Sequence, residues 1–179
     1  EAQRIGDNVL LYQQITGGWP KNIYMPAELT EQEYKAALKA KEDINQSTID
    51  NNATTTEIEY LARLYLATQK AKYKEGVLNG IQYLLKAQYE NGGWPQFYPR
   101  PKGYYVNGEL TVWCAQHDRV TLEPCKARAY ELPSLSGQES DNIVLLLMSL
   151  PDPSAEIVKS IEGAIKWFQK SEIKGLQKE

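Results

Sequence analysis

One short motif occurs twice in the chain. Gln13-Gln14-Ile15-Thr16-Gly17-Gly18-Trp19-Pro20 returns 75 residues on as Gln88-Tyr89-Glu90-Asn91-Gly92-Gly93-Trp94-Pro95. In both copies paired glycines precede a large aromatic and a proline. Glycine reaches the positive φ that ends a helix, and proline prevents the helix from resuming. Tryptophan then offers a large packing surface beside the turn. One copy would say little. Two copies imply related helical hairpins, which constrains the chain to a largely helical fold.

The segments between and around the copies carry the matching periodicity. Ile58, Leu61, Ala62 and Tyr65 follow the i, i+3, i+4, i+7 spacing of a helix face. Thr54 and Glu57 have the spacing of a capping box at its start. Val77, Ile81, Leu84, Leu85 and Gln88 continue a second helix toward Gly92, and a shorter helix is expected from Glu31 to Lys41, led by Thr30. Ile143 to Met148 fits strand or buried helix, and the Ser136–Glu139 spacing favours helix. Asp152-Pro153 reads as an N-cap followed by proline at the first helical position, with Ile157, Ile161, Ile165 and Phe168 as an apolar stripe beyond it. Residues 43–53 are polar, and 96–135 show almost no helical period. A stretch of that length without regular structure inside a compact domain usually means function, or a missing segment.

Composition narrows the partners. At 179 residues, 42% hydrophobic and 24% charged, the chain fits one soluble domain with a sizeable core. Its net charge of -3 provides no basic field, so nucleic acid is not expected as a partner. An anionic sugar polymer could still be held by a local group of Lys and Arg. Twelve Tyr and four Trp stand against two Phe, and such amphipathic rings suit either sugars or helix contacts. Cys114 and Cys125 are too few for a disulfide scaffold and lack a zinc-ligand spacing, although one bridge between them is open. No apolar run reaches membrane-spanning length, so no membrane is expected. Beginning at Glu1 rather than Met, the chain reads as a mature or excised segment, and its lack of a signal peptide says nothing about export.

Three places could carry chemistry. Asp50-Asn51-Asn52 precedes a helix start, where Asx residues cap; equally, carboxylate and amide oxygens there could hold a calcium ion, provided that other oxygens join one carboxylate. His117-Asp118 invites a relay, but no nucleophile elbow accompanies the pair and nothing papain-like surrounds Cys114, so a loop-organising histidine is the better reading. Arg128, within Lys126-Ala127-Arg128-Ala129-Tyr130, is either a loop anchor or a planar fork for a carboxylate.

GGWPKN (17–22), IDNNATTTEI (49–58), LLKAQYENGGWPQFYP (84–99), VWCAQHDRVTLEPCKARAYELPSLSG (112–137) and SLPDPS (149–154) together resemble the family-10 polysaccharide lyases, which are pectate lyases. The resemblance implies a mainly α fold, an (α/α) barrel or toroid with long irregular loops, binding polygalacturonate (pectate) in a groove. It implies calcium-dependent anti β-elimination yielding 4,5-unsaturated oligogalacturonides. Carried over, Asp50 matches the calcium-ligand aspartate, Asn51 its neighbour in the cleft, and Arg128 the arginine assigned as the base at C5. Lys21 and Lys126 are further candidates for substrate contact, whereas Trp19 and Trp94 read as packing. A secreted or periplasmic monomer is expected. Where the family continues after PQFYP into a segment bearing another acidic calcium ligand, this chain runs from Pro99 almost directly to Val106, and the family also extends beyond the position of Glu179. Residues 1–179 are therefore expected to form a single, shortened catalytic domain. A non-catalytic acidic-polysaccharide binder and an (α/α) glycoside hydrolase, with two carboxylates as acid and base, are the alternatives.

Overall fold

Both glycine turns are tied by the same set of hydrogen bonds, and the rest of the fold is arranged around them. In this computed structural model, residues 1–42, 46–95, 104–106, 109–111, 116–117, 124–125, 135 and 137–175 are described. Among them the helices are α1 (Ala2–Tyr12), α2 (Glu31–Ala40), α3 (Thr55–Thr68), α4 (Ala71–Ala87), α5 (Gly137–Met148) and α6 (Ala155–Ser171), with a 3-10 turn at Asp50–Asn52. Four short strands follow α4: β1 (Tyr104–Val106) pairs antiparallel with β2 (Glu109–Thr111), and β3 (Gln116–His117) with β4 (Pro124–Cys125). The fold is mainly α. None of the described helices is long and apolar enough to cross a membrane.

In the first turn, Gln14 N–H donates to Gly18 O and Gly17 N–H to Gln14 O, each at 2.9 Å. In the second, Tyr89 N–H donates to Gly93 O and Gly92 N–H to Tyr89 O at the same distance. Gly17 and Gly92 have φ of 95° and 98°. A Cβ there would also lie 2.3 Å from Asn79 O and 2.1 Å from Gly163 O, so conformation and space both demand glycine. The side-chain amide of Gln13 donates to Gly17 O and to Gly76 O on α4; that of Gln88 donates to Gly92 O and to Ser160 O on α6. Trp19 Nε1 donates to Val9 O at 2.7 Å and Trp94 Nε1 to Leu84 O at 2.8 Å. Both rings are fully buried. At roughly 25 cal/mol per Å² over 150–250 Å², each contributes about 4–6 kcal/mol of apolar burial. The packing role expected of both tryptophans is what the structure shows.

Two modules result, sharing α4. The first runs α1, turn, α3, α4; the second runs α4, turn, α5, α6. Ile58 and Leu61 on α3 and Ile143 and Leu147 on α5 are buried in one core with Tyr73, Ile81 and Leu84 of α4. The apolar spacing that marks α3 and α4 also predicts these burials. Helix α2 begins as expected: Thr30 Oγ1 accepts from Glu33 N–H while the Glu33 carboxylate accepts from Thr30 N–H. Ile143 to Met148 is helix.

Two expectations are corrected. Helix α6 is capped by Ser154, whose Oγ accepts from Ile157 N–H, and not by Asp152, which sits in the preceding turn at φ 56°. Serine directly before Ala155 is placed to reach that N–H, whereas Asp152 stands two residues too early. The segment expected to lack regular structure contains the two antiparallel ladders. Helix α1, which the sequence does not mark, starts without a side-chain cap at Glu1. It forms because Val9 and Leu11 are buried and Gly6 lets Leu64 and Tyr73 approach closely. Tertiary packing stabilises it more than its own sequence does.

Candidate functional site

The loop leading into α3 is anchored on the first glycine turn. Trp19 and Thr48 form an antiparallel bridge in which Thr48 N–H donates to Trp19 O at 3.0 Å. The Thr54 hydroxyl donates to Thr48 O at 2.8 Å and accepts from Trp19 N–H at 3.0 Å. One buried threonine thus joins the turn, the loop and the helix start. Asp50 N–H donates to Thr48 Oγ1 at 3.1 Å, which orients the residue that follows.

Between these anchors the backbone is unwound. Asn51, Asn52 and Thr54 have φ of 57°, 62° and 74°. Asparagine tolerates the left-handed region, but a β-branched residue there is strained, on the order of 1–3 kcal/mol. The surroundings offset that strain. The Glu57 carboxylate accepts from Thr54 N–H at 2.7 Å and from the Thr56 hydroxyl at 3.0 Å. The Thr55 and Thr56 hydroxyls both donate to Asn52 O at 2.9 Å. Asn142 on α5 donates from Nδ2 to Asn52 Oδ1 at 2.6 Å, bringing the second module to the loop. Burial pushes the Glu57 carboxyl up, and its hydrogen bonds oppose that only in part.

Asp50 is the outcome of this construction. It is 6% exposed, yet it does not cap α3, a role taken by Thr54 and Glu57. Its Oδ2 accepts from the Lys21 ammonium. Lys21 follows Pro20 directly after the turn, and its side chain is 24% exposed against 8% for that of Asp50. Two of the residues singled out from sequence, 29 positions apart, are therefore in contact. Asn51, adjacent to Asp50, is exposed. Arg128 and Lys126 lie outside the described residues, as do Cys114, Asp118 and Ser136; of His117 and Cys125 only the strand position is described. Sequence reasoning missed Asn142, which touches the loop from 90 residues away. No local signal marks such a contact.

Of the oxygens beside the Asp50 carboxylate, Asn52 Oδ1 accepts from Asn142 and Asp50 O from Ala53 N–H. Among the described residues no group of three acidic, histidine or cysteine side chains converges. Calcium takes six to eight oxygens, of which Asp50 could supply one or two. A cavity of about 510 Å³, lined among others by Gln14, Thr16, Lys41, Asn79 and Lys86, opens beside the first turn but includes neither Asp50 nor Lys21. The burial and pairing of Asp50 single it out instead.

Comparison with known proteins places the chain in a family. The family model described as pectic acid lyase matches residues 13–107 and 104–179. No curated protein matches the chain. Two solved structures of a family 10 polysaccharide lyase from Cellvibrio cellulosa, one a point mutant in complex with trigalacturonic acid, are 30% identical to it. Each alignment covers 94% of this chain and 67% of the other, with a TM-score of 0.49. The chain belongs to the pectic acid lyase family.

Proposed function

We propose that the chain is a pectate lyase that cleaves de-esterified polygalacturonate by calcium-assisted anti β-elimination, giving 4,5-unsaturated oligogalacturonides. In a chain of this family, the observation that carries the reading is Asp50, a nearly buried carboxylate presented on an unwound turn and facing a cation. Removing the proton beside a uronate carboxylate builds negative charge on an anionic group. A bound calcium ion supplies Lewis-acid stabilisation of that charge, worth several kcal/mol.

In this reading Asp50 holds the ion, and the fixed turn from Thr48 to Thr54 keeps its carboxylate in place. Asn51, exposed beside it, offers an amide to the sugar. Lys21 and Lys126 meet uronate carboxylates. Arg128 takes the C5 proton, which requires its neutral form; nearby cations and desolvation would favour that form. The proposal includes calcium as cofactor, pectate as partner, a single domain, a monomer, and a secreted or periplasmic setting, since such a polymer is met outside the cytoplasm.

The test is absorbance at about 235 nm, where an unsaturated uronide absorbs, on polygalacturonate with calcium and then with chelator, because removing a required metal abolishes activity. A rise that depends on calcium is the expected result. A flat trace from folded protein that still binds pectate in chelator would replace the lyase with the binder.

A further inference from the structure

The two modules stay in register beyond the shared motif, and at one place in that register they are built differently. Gln13 donates to Gly76 O where Gln88 donates to Ser160 O. A Cβ on Gly17 would meet Asn79 O where one on Gly92 would meet Gly163 O. A Cβ on Gly18 would meet the Tyr83 ring, and one on Gly93 the Trp167 ring. Tyr83 and Trp167 are therefore equivalent, as are Gln82 and Lys166, Lys86 and Lys170, and Thr16 and Asn91. A cavity opens beside each turn at this position. In the first module Thr16, Gln82 and Lys86 line it with Lys41 and Glu42, and Tyr83 is closed off at 1% exposure. In the second, Asn91, Lys166, Trp167, Lys170 and Ser171 line a cavity of about 370 Å³. That volume falls in the range of roughly 300–1,000 Å³ usual for ligand sites. Here the aromatic ring is half-buried and forms part of the wall, lysine replaces Gln82, and no carboxylate is among the described lining residues.

We propose that this second cavity is an acidic-sugar site separate from Asp50, which holds a uronate residue without calcium. An indole wall offers an apolar surface to a sugar ring, and the two ammonium groups beside it meet a carboxylate. The wall is held in place: Trp167 packs against Phe168 with ring centroids 5.0 Å apart, and Gly93 lies close to its ring. Asn91 Oδ1 accepts from Gly93 N–H at 3.1 Å, which fixes the amide beside the cavity, and Ser171 adds a hydroxyl. The same turn touches Ser160 of α6 and Ser140 of α5, while Asn142 of α5 reaches the Asp50 loop. The cavity therefore lies at the end of the helices that carries Asp50, yet shares no lining residue with that loop. A polymer held there keeps its neighbouring residues near the Asp50 end at raised local concentration.

The choice of a uronate over another anionic ring rests on the pectate reading above, but the site is tested without turnover. Trigalacturonate is titrated in chelator and followed by NMR at the Trp167 indole N–H resonance, which reports on this cavity alone. A saturable shift is expected, and it should persist in Asp50→Asn. In the double variant Lys166→Gln, Lys170→Gln the same shift should need at least about threefold more ligand, since two partly exposed ion pairs are lost. Both side chains are exposed, and glutamine already stands at the equivalent of the first, so the variant should keep its fold, as circular dichroism would confirm. A neutral galactose trimer and inorganic phosphate should each leave the resonance in place. No shift in the wild-type chain overturns the proposal. So does an unchanged titration in the double variant, a shift lost in Asp50→Asn, or an equal shift with the neutral trimer or with phosphate. A flat lyase trace alongside the expected Trp167 shift would remove the proposed activity and leave the sugar site standing.

Discussion

The two glycine-turn modules use one packing device and differ where the helix after the turn begins. In the second, Ser140 Oγ accepts from Trp94 N–H at 3.1 Å, just as Thr54 Oγ1 accepts from Trp19 N–H in the first. Yet Ser140 lies inside α5, which already starts at Gly137, whereas Thr54 stands before α3. The residues before Ser140 continue as α-helix, while those before Thr54 are unwound into the turn that carries Asp50 and Asn51. The charged positions diverge too. Counting from the shared motif, Gln96 stands where Lys21 stands, and counting back from the shared hydroxyl, Ser136 stands where Asp50 stands. Ile143 replaces Glu57 in the same way. Where residues 137–139 of one copy are helix, residues 51–53 of the other are unwound.

That comparison can be broken at the device itself. Trp19→Ala and Trp94→Ala should each destabilise the fold by about 3–5 kcal/mol in urea unfolding, with similar losses, because each removes a buried ring and a hydrogen bond to a helix carbonyl. A large loss at one site and a small one at the other would mean that the turns only look alike.

A finer test uses the shared hydroxyl. Ser140→Ala leaves the buried Trp94 N–H without its acceptor and should cost about 1–3 kcal/mol, with turnover per folded molecule unchanged. Thr54→Ala should lose comparable stability and turnover as well, since Thr54 also sets the loop that bears Asp50. Equal effects on turnover would remove the distinction between the modules.

The smallest expected effect concerns pH. Burial raises the Glu57 carboxyl above its ordinary value of 4.5, so the folded chain holds the proton more readily than the unfolded chain does. The associated stability is fully present below pH 4.5 and is lost as pH rises through the raised pKa. Glu57→Gln should flatten that slope, by about 1 kcal/mol or less, while Ile143 gives the second module no counterpart. Melting temperatures across acidic to neutral pH would show it, and a wild-type slope of opposite sign would contradict it.

Much of the frame could be read in the residues. The paired glycines, the apolar spacing of Ile58, Leu61, Val77 and Ile81, and the Thr30–Glu33 box carry helix ends and faces locally, because each depends on neighbours within a turn or two. Asp50 and Lys21 were separately visible as candidates, but their contact was not, since it depends on the Trp19–Thr48 bridge bringing two loops together. The unwound turn was also hidden, because Asp-Asn-Asn before a threonine cap is compatible with capping and with a cation site alike. Asn142 gave no sign at all, for its partner lies on another element. The Arg128 and Lys126 roles rest on the resemblance, and both residues lie outside those the structure describes.

The central claim is that the unwound turn exists to present Asp50, and the most direct test is Asp50→Ala, with pectate turnover and melting measured side by side. The account predicts that calcium-dependent turnover falls at least about a hundredfold, equivalent to roughly 2.7 kcal/mol of barrier, while stability stays within about 1 kcal/mol of wild type. Retained turnover in the folded variant would make Asp50 an ordinary turn residue and contradict it.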